Sequence, residues 1–507
     1  MANIQFALPE PIKNFVFDLH EACRLSQRPE DVDTLYETNF KELTEKYFKD
    51  IAWPSPAAIA DECRSDQLFL VYYKEMTLRH LFSKLKPQLS DYIDAWNVYK
   101  SLFDDIMSTT KDSMCITSQW AYDILQEFVY QFQEFCQYRC QSSNSNRSAD
   151  DIAMLEANKE AWSYPAVLRL LKGVIRSSNI KTFLASSVAP NPATISASLH
   201  LSVGYFSMIE LARMECLIGD HTASLEAISS IHLLDKTGYC VSVPASYVNM
   251  LYHAGVCFLM LRRYSDCMDT LSGLVLYVSQ LLKPGASKQT VSPQFQKLMD
   301  KALTLTGVCA NLCPGHRLDD QVREMCATKL GDRLRRLQLG ELAAYVESFE
   351  QSCPKFVSPA IPNYQAFEKL NRCHESLKSQ VQMFQQEVKQ QVVFIRLRSY
   401  LKLYSAIDIE KLSTFNSLPE EDLLNLIIAF KYKGYQVISI SNGRGTTATV
   451  DERLASSDIG VQVKGSSVTV ETSGSSASQR GTVLSRFFIS SIKRHGELNN
   501  RIEKLSI

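Results

Sequence analysis

Two thiols and an imidazole lie close together in Cys309-Ala310-Asn311-Leu312-Cys313-Pro314-Gly315-His316, and Cys326 follows as a fourth donor. Such a set could hold a tetrahedral zinc ion, so Cys309, Cys313 and His316 are the candidate metal ligands of the sequence. The same spacing also describes two small apolar residues one helical turn apart, ahead of a Pro-Gly stop. No Cys-x-x-Cys knuckle is present, so we read the segment in this second way and expect no metal and no cofactor. Cys136 and Cys140 repeat the spacing on an aromatic-rich helix and receive the same reading.

Catalytic motifs are missing from the sequence. It contains no His-Glu-x-x-His helix, no Gly-x-Ser-x-Gly elbow and no Gly-x-x-x-x-Gly-Lys-Ser/Thr phosphate loop. Gly443-Arg444-Gly445 lies in a Ser-Thr loop without a strand-to-helix context, and reads as linker. The expectation is a protein that is not an enzyme, has no catalytic residues and takes no small-molecule substrate.

Charge narrows the partners. Lys and Arg number 54 against 55 Asp and Glu, a net charge of -1, so no global field draws the chain to nucleic acid or to an anionic membrane. Contact with RNA would have to be local, at Arg333-Leu334-Arg335-Arg336 or Lys493-Arg494, and both runs read first as solvated helix faces. The N-terminus, Met1-Ala2-Asn3-Ile4-Gln5-Phe6, carries no signal-peptide pattern, and polar residues interrupt each apolar stretch before it could span a bilayer. We therefore expect a cytoplasmic chain without membrane contact. Its 14 cysteines then read as reduced core thiols, and the sequon Asn146-Arg147-Ser148 as unused.

Most of the chain has helical periodicity. Trp120, Ile124, Phe128, Phe132 and Phe135 fall on one helix face, and breaks fall at Trp53-Pro54-Ser55-Pro56 and Lys86-Pro87. A polar loop is expected over 141–149 and a Ser, Ala and Pro-rich one over 185–197. Residues 204–274 form two helical hairpins of tetratricopeptide type: Gly255, Phe258, Tyr264, Cys267 and Leu271 in the second, and, less completely, Ala212, Gly219, Ser224 and Ile228 in the first. Ala212 and Gly255 lie 43 residues apart, against about 34 in a regular array, so the repeats are irregular.

Helical pattern continues from Phe295 to Leu339 and from Asn371 to Leu403, where Leu377, Val381, Phe384, Val388 and Val392 share a side. Between these runs the prolines of Ser352-Cys353-Pro354-Lys355-Phe356-Val357-Ser358-Pro359 force an extended path. Ser405-Ala406-Ile407-Asp408 has capping-box form and predicts a helix bearing Ile409, Leu412 and Phe415. Ser417-Leu418-Pro419-Glu420 repeats the device for a helix bearing Leu423, Leu424, Ile427 and Phe430. Val461, Val463, Val468 and Val470 alternate about Lys464-Gly465-Ser466-Ser467 as a hairpin wing, between Ser-Gly-rich segments near 441–447 and 472–481. Glu420-Glu421-Asp422 would aim carboxylates at phosphate if the second helix entered a DNA groove, so the winged helix reads as protein-facing. A last amphipathic helix carries Leu484, Phe488, Ile492, Leu498, Ile502 and Leu505.

Several specific strings stand out: Tyr130-Gln131-Phe132-Gln133 through Gln137-Tyr138-Arg139-Cys140, Gly204-Tyr205-Phe206-Ser207, Leu261-Arg262-Arg263-Tyr264, and Ser352-Cys353-Pro354-Lys355-Phe356 with Pro362-Asn363-Tyr364. Together they resemble one family, that of the L subunit of eukaryotic translation initiation factor three. The resemblance implies helical repeats followed by a PCI domain, the helical and winged-helix module shared with the proteasome lid and the COP9 signalosome.

The expected fold is mainly α: a tetratricopeptide-like helical-repeat solenoid ending in a PCI domain with a winged helix, then a C-terminal amphipathic helix. Its expected parts are an N-terminal helical region over 1–140, repeats over 150–284, a PCI domain over 285–475 (helical to 403, winged helix 404–471) and a bundle helix over 481–507. The resemblance implies a scaffold subunit of the initiation factor 3 complex, with other PCI-containing subunits and the small ribosomal subunit as partners, acting in preinitiation-complex assembly and mRNA recruitment. The alternatives are a PCI subunit of the proteasome lid or signalosome, or a nucleic-acid-binding winged helix. For the interface we expect Val468 and Val470 to pair edge-on with a neighbour's sheet, and Leu484, Phe488, Ile492, Leu498, Ile502 and Leu505 to enter a helical bundle.

Overall fold

The computed structural model describes residues 8–471 apart from 27–28, 109–113, 141–147, 187–191, 197, 236–237, 284–292, 314–315, 317, 363, 365–374, 434, 440–450 and 456–458, together with Ile492, His495 and Gly496. The fold is mainly α, as expected. The principal helices are α1 (Glu10–His20), α2 (Gln67–Lys84), α3 (Leu89–Met107), α4 (Ser118–Cys140), α5 (Tyr164–Ser177), α6 (Leu199–Ile218), α7 (His221–Ala227), α8 (Pro244–Met260), α9 (Tyr264–Leu281), α10 (Pro293–Leu312), α11 (Asp320–Gln338), α12 (Leu342–Ser352) and α13 (Ser376–Leu401). From α6 onward each helix packs mainly on its chain neighbours, with α8 on α9, α9 on α10, α10 on α11 and α12, and α12 on α13. Stacking of this kind buries each helix against its successor and gives a solenoid.

Helix periodicity decides which residues go inside. The aromatic face of α4 is buried throughout, from Trp120 to Phe135. Around it Phe128 sits edge-on to Phe103 with centroids 4.9 Å apart and meets Trp162 at 5.3 Å. The tetratricopeptide-type positions Phe258, Tyr264, Cys267 and Leu271 are likewise buried. One continuous core runs from Ile12 to Val388, and a second, smaller one from Phe394 to Val468.

Helix α13 belongs to both cores. Its Val381, Phe384 and Val388 close the first, where Phe384 stacks on Phe349 at 4.3 Å, while Phe394, Leu397 and Leu401 open the second. Leu377, expected on the same side, is exposed, one turn before the packed stretch. The extended Ser352–Val357 segment braces the helices that it crosses. Tyr252 donates its hydroxyl to Ser352 O at 2.5 Å, Gln133 Nε2 donates to Lys355 O, Lys301 Nζ donates to Cys353 O, and Val357 N donates to Leu217 O. Proline has removed helix as an option there, so those carbonyls turn to neighbouring helices instead.

The second core is a winged helix: β1 (Ala406–Asp408), α14 (Ile409–Asn416), α15 (Glu420–Lys433), β2 (Tyr435–Ser439), β3 (Asp451–Ala455), β4 (Gly460–Lys464) and β5 (Ser467–Glu471). Strands β1, β5 and β4 form one antiparallel sheet in that order, and β2 pairs with β3 in another. The wing hairpin closes as expected, with Val463 opposite Val468, and Gly465 taking the φ of 60° at the first turn position.

Sequence and structure differ at both capping devices. Residues 406–408 form strand β1 rather than the first turn of a helix, because β5 offers them a ladder: Ile407 lies opposite Val468, and Val470 N donates to Ser405 O at 2.9 Å. Helix α14 therefore starts after Asp408. Ser417 adopts a left-handed conformation (φ 53°) and ends α14 instead of opening the next helix. Within the expected 185–197 loop, Pro192–Ser196 is a short helix. Ser148, at the end of the expected polar loop, caps the helix Ala149–Ala157 by accepting from Asp151 N. Segments 441–447 and 472–481 lie outside the described residues.

Candidate functional site

Strand β5 is the middle of its sheet, hydrogen-bonded to β1 on one side and β4 on the other. Val468 and Val470 thus have no free backbone edge, and Val468 is completely buried. The sequence places these valines in a wing but cannot show that Ser405–Asp408 pairs with the wing's return strand. Among the described residues the sheet has two unpaired edges, the outer side of the three-residue β1 and the outer side of the longer β4, where Val463 is 41% exposed. Apolar side chains also face solvent on the helices of the winged module, at Phe415, Ile428 and Tyr432. Of the expected bundle residues only Ile492 is described; it is helical and 69% exposed. Leu484, Phe488, Leu498, Ile502 and Leu505 lie outside the described residues.

The winged helix presents acid where a groove-reading helix would present base. Glu420, Glu421 and Asp422 are exposed in the first turn of α15, complementing the helix dipole. In the basic run of α11, Arg336 pairs with Glu341 at 2.8 Å and with Glu347 at 3.3 Å, and Arg333 donates to Gln351. Lys493 and Arg494 lie outside the described residues.

The candidate metal residues of the sequence point to different neighbours. Cys309 Sγ lies 3.3 Å from Cys267 Sγ in the core, His316 Nε2 lies 3.0 Å from Asp269 Oδ1, and the Cys326 thiol donates to Leu303 O. Cys313 is half-buried. Among the described residues a different set converges: Cys216, His221 and Cys257, whose ligand atoms all lie within 4.8 Å of one another.

A helix stop creates that convergence. Gly219 ends α6 with φ 101°, and its N–H returns to Cys216 O while Asp220 N–H returns to Glu215 O, the paired bonds of a Schellman motif. Asp220 then caps α7 by accepting from Ala223 N at 2.9 Å. The tight reversal brings His221, first residue of α7, back over Cys216. Helix α8 adds Cys257, whose thiol donates to Ser224 Oγ at 3.3 Å, while the Ser224 hydroxyl donates to Ala212 O. From α13, Gln380 Oε1 meets His221 Nε2 at 3.3 Å. Gly219 leaves room for it, since a β-carbon there would stand 2.4 Å from Gln380 Nε2.

All three donors are buried, Cys216 and Cys257 completely and His221 to 7% exposure. The hydrogen bond to Cys257, and then burial, push the Cys216 thiol well above its ordinary value. Burial pushes Cys257 up as well, but the close approach of Cys216 and His221 outweighs it and holds the thiol down to about 6. Burial disfavours charge on His221, yet its contact with Cys257 raises its basicity. Cys257 is therefore the more readily ionised of the two thiols. The sequence hides this set because its members come from different helices; its only local trace is Cys216 and His221 on either side of a Gly-Asp turn.

The family described as RNA polymerase I-associated factor PAF67 matches residues 91–495. Among curated proteins, the eukaryotic translation initiation factor 3 subunit L of Nematostella vectensis is 33% identical over 464 residues, covering 90% of this chain and 86% of the relative. The subunit L proteins of Xenopus laevis and Homo sapiens are each 29% identical, covering 98% of this chain and 92% and 91% of their own lengths. No helix among the described residues is long and apolar enough to cross a membrane.

Proposed function

We propose, because the chain belongs to the family of eukaryotic translation initiation factor 3 subunit L, that it serves as a non-catalytic scaffold subunit of that initiation factor in the cytoplasm. The observation that carries this reading is the extent of the likeness, 33% identity across 90% of the chain. The architecture supports it. A solenoid suits a scaffold, because its stacked helices fix the position and direction of whatever it ends in.

Here it ends in a winged helix held by α13, one helix embedded in both cores. The hairpins around Gly219 and Gly255 set the curvature of the arm, and the module at its end meets other PCI-containing subunits. The free side of β4 is the place for a neighbour's strand, since backbone groups there have no partner among the described residues. The amphipathic segment 481–507 joins a helical bundle with neighbouring subunits. The assembled factor binds the small ribosomal subunit, and this chain contributes to preinitiation-complex assembly and mRNA recruitment through position rather than through RNA contact of its own.

Affinity purification of the tagged full chain from its own cells, with mass spectrometry of what accompanies it and sedimentation of the same material, tests the reading. Initiation factor subunits and co-sedimentation with small ribosomal subunits are expected. Recovery of proteasome-lid or signalosome subunits instead, or of the chain alone, would overturn it. Removal of residues 483–507 should lower the yield of accompanying subunits, and full retention would remove the bundle from the proposal.

A further inference from the structure

We propose that Cys216, His221 and Cys257 form a structural metal site for a soft-ligand divalent cation, zinc by chemical class, at the junction of the repeats with α13. Three side chains from α6, α7 and α8 place their ligand atoms within 4.8 Å of one another. In a tetrahedral zinc site, with Zn–S about 2.3 Å and Zn–N about 2.0–2.1 Å, donor atoms stand roughly 3.4–3.8 Å apart. The cluster thus needs only a small contraction to close on an ion.

The imidazole is already set for the role. With Nε2–H donating to Gln380 Oε1, the lone pair falls on Nδ1, and Nδ1 is buried with no hydrogen-bond partner. An outer carbonyl that fixes the tautomer and ring orientation of a ligating histidine is the usual partner in such sites. A buried lone pair without a donor is costly, and a cation at that point satisfies it.

Charge balance favours the same occupant. On binding, the Cys216 and Cys257 thiols each lose a proton to solvent, and two thiolates, a neutral imidazole and a dication sum to zero. A fully buried site tolerates that sum far better than either an isolated dication or two unpaired thiolates. Two sulfurs with one imidazole select zinc over magnesium or calcium, which prefer oxygen. The three side chains supply three of the four positions of a tetrahedral ion. The consequence is mechanical: the ion would join α6, α7 and α8 directly and, through Gln380, hold the helix that carries the winged helix. This site is independent of which assembly the chain joins.

The test uses the purified full chain, reduced, dialysed without chelator and analysed for metal by mass spectrometry. About one zinc ion per chain is expected, falling to less than about a tenth in the Cys216→Ser/Cys257→Ser variant and unchanged in Cys309→Ser. The wild-type chain, stripped and titrated with cobalt(II), should develop sulfur-to-cobalt charge-transfer absorption and tetrahedral visible bands, a readout that needs no variant to fold. The site is overturned by a folded wild-type chain that holds less than about a tenth of an equivalent and gives no cobalt bands. Undiminished metal in the double variant, or recovery of Cys216 and Cys257 as a disulfide, would overturn it equally.

Discussion

Leu271 fills the space that a side chain at Gly255 would need: a β-carbon on Gly255 would stand 2.4 Å from Leu271 Cδ2. The two residues lie on α8 and α9, and their contact sets how closely the second repeat hairpin closes. Gly255→Ala should therefore overpack a fully buried contact and cost about 1–3 kcal/mol. Urea unfolding of the variant checks this, and an unchanged midpoint would mean that Leu271 rotates away freely.

Arg79 is the cation of a buried network. Its Nε lies 2.8 Å from Glu75 Oε1, its Nη1 lies 3.6 Å from Asp123 Oδ2, and it also bonds the Tyr36 hydroxyl, which donates to Asp123 at 2.7 Å. Burial already pushes the Glu75 and Asp123 carboxyls up from their ordinary values, with Arg79 as the main opposing influence. Arg79→Met leaves both carboxylates without their cation and should cost about 3–5 kcal/mol at neutral pH, read as a fall in the unfolding midpoint. Adding Glu75→Gln should restore part of the loss. A second substitution that only adds to the damage would argue against the network.

Glu127 supplies a pH signature. Burial raises its carboxyl to about 7, against a hydrogen bond from Gln131 that lowers it. Its folded value lies above the unfolded one near 4.3, so its contribution to stability is complete at acid pH and is lost as pH rises through about 7. Glu127→Gln should then be more stable than the parent by about 1–3 kcal/mol at pH 8, with the difference vanishing near pH 4. Melting temperatures of both proteins across that range decide it; parallel curves would sink the assignment.

Val468 anchors the wing rather than exposing it. It is completely buried on the central strand, opposite Ile407 and Val463. Val468→Ala should destabilise the winged helix by about 1–3 kcal/mol. Val463→Lys, on the outer strand, should leave the fold intact and weaken association with a neighbouring subunit. Hydrogen exchange of β5 separates the two effects: faster in the first variant, unchanged in the second.

Much of this protein was legible from its sequence by itself. The aromatic stripe of α4, the paired hairpins around Gly255 and the valine alternation of the wing are periodic signals, and each residue's side followed from its neighbours a few positions away. The enzyme motifs missing from the chain are equally local facts, and the strings at 130–140, 204–207, 261–264 and 352–364 carried the family. Tertiary structure alone decided what depends on distant partners. Residues 406–408 became a strand because β5 was there to pair with them, and that pairing made β5 central and removed its edge. Cys216, His221, Cys257 and Gln380 became neighbours only when four helices packed, while Cys309 and His316, close in sequence, turned to other partners. Periodicity records which face of an element is buried; which buried faces meet is settled by the packing of the whole core, and no short window of sequence contains that sum.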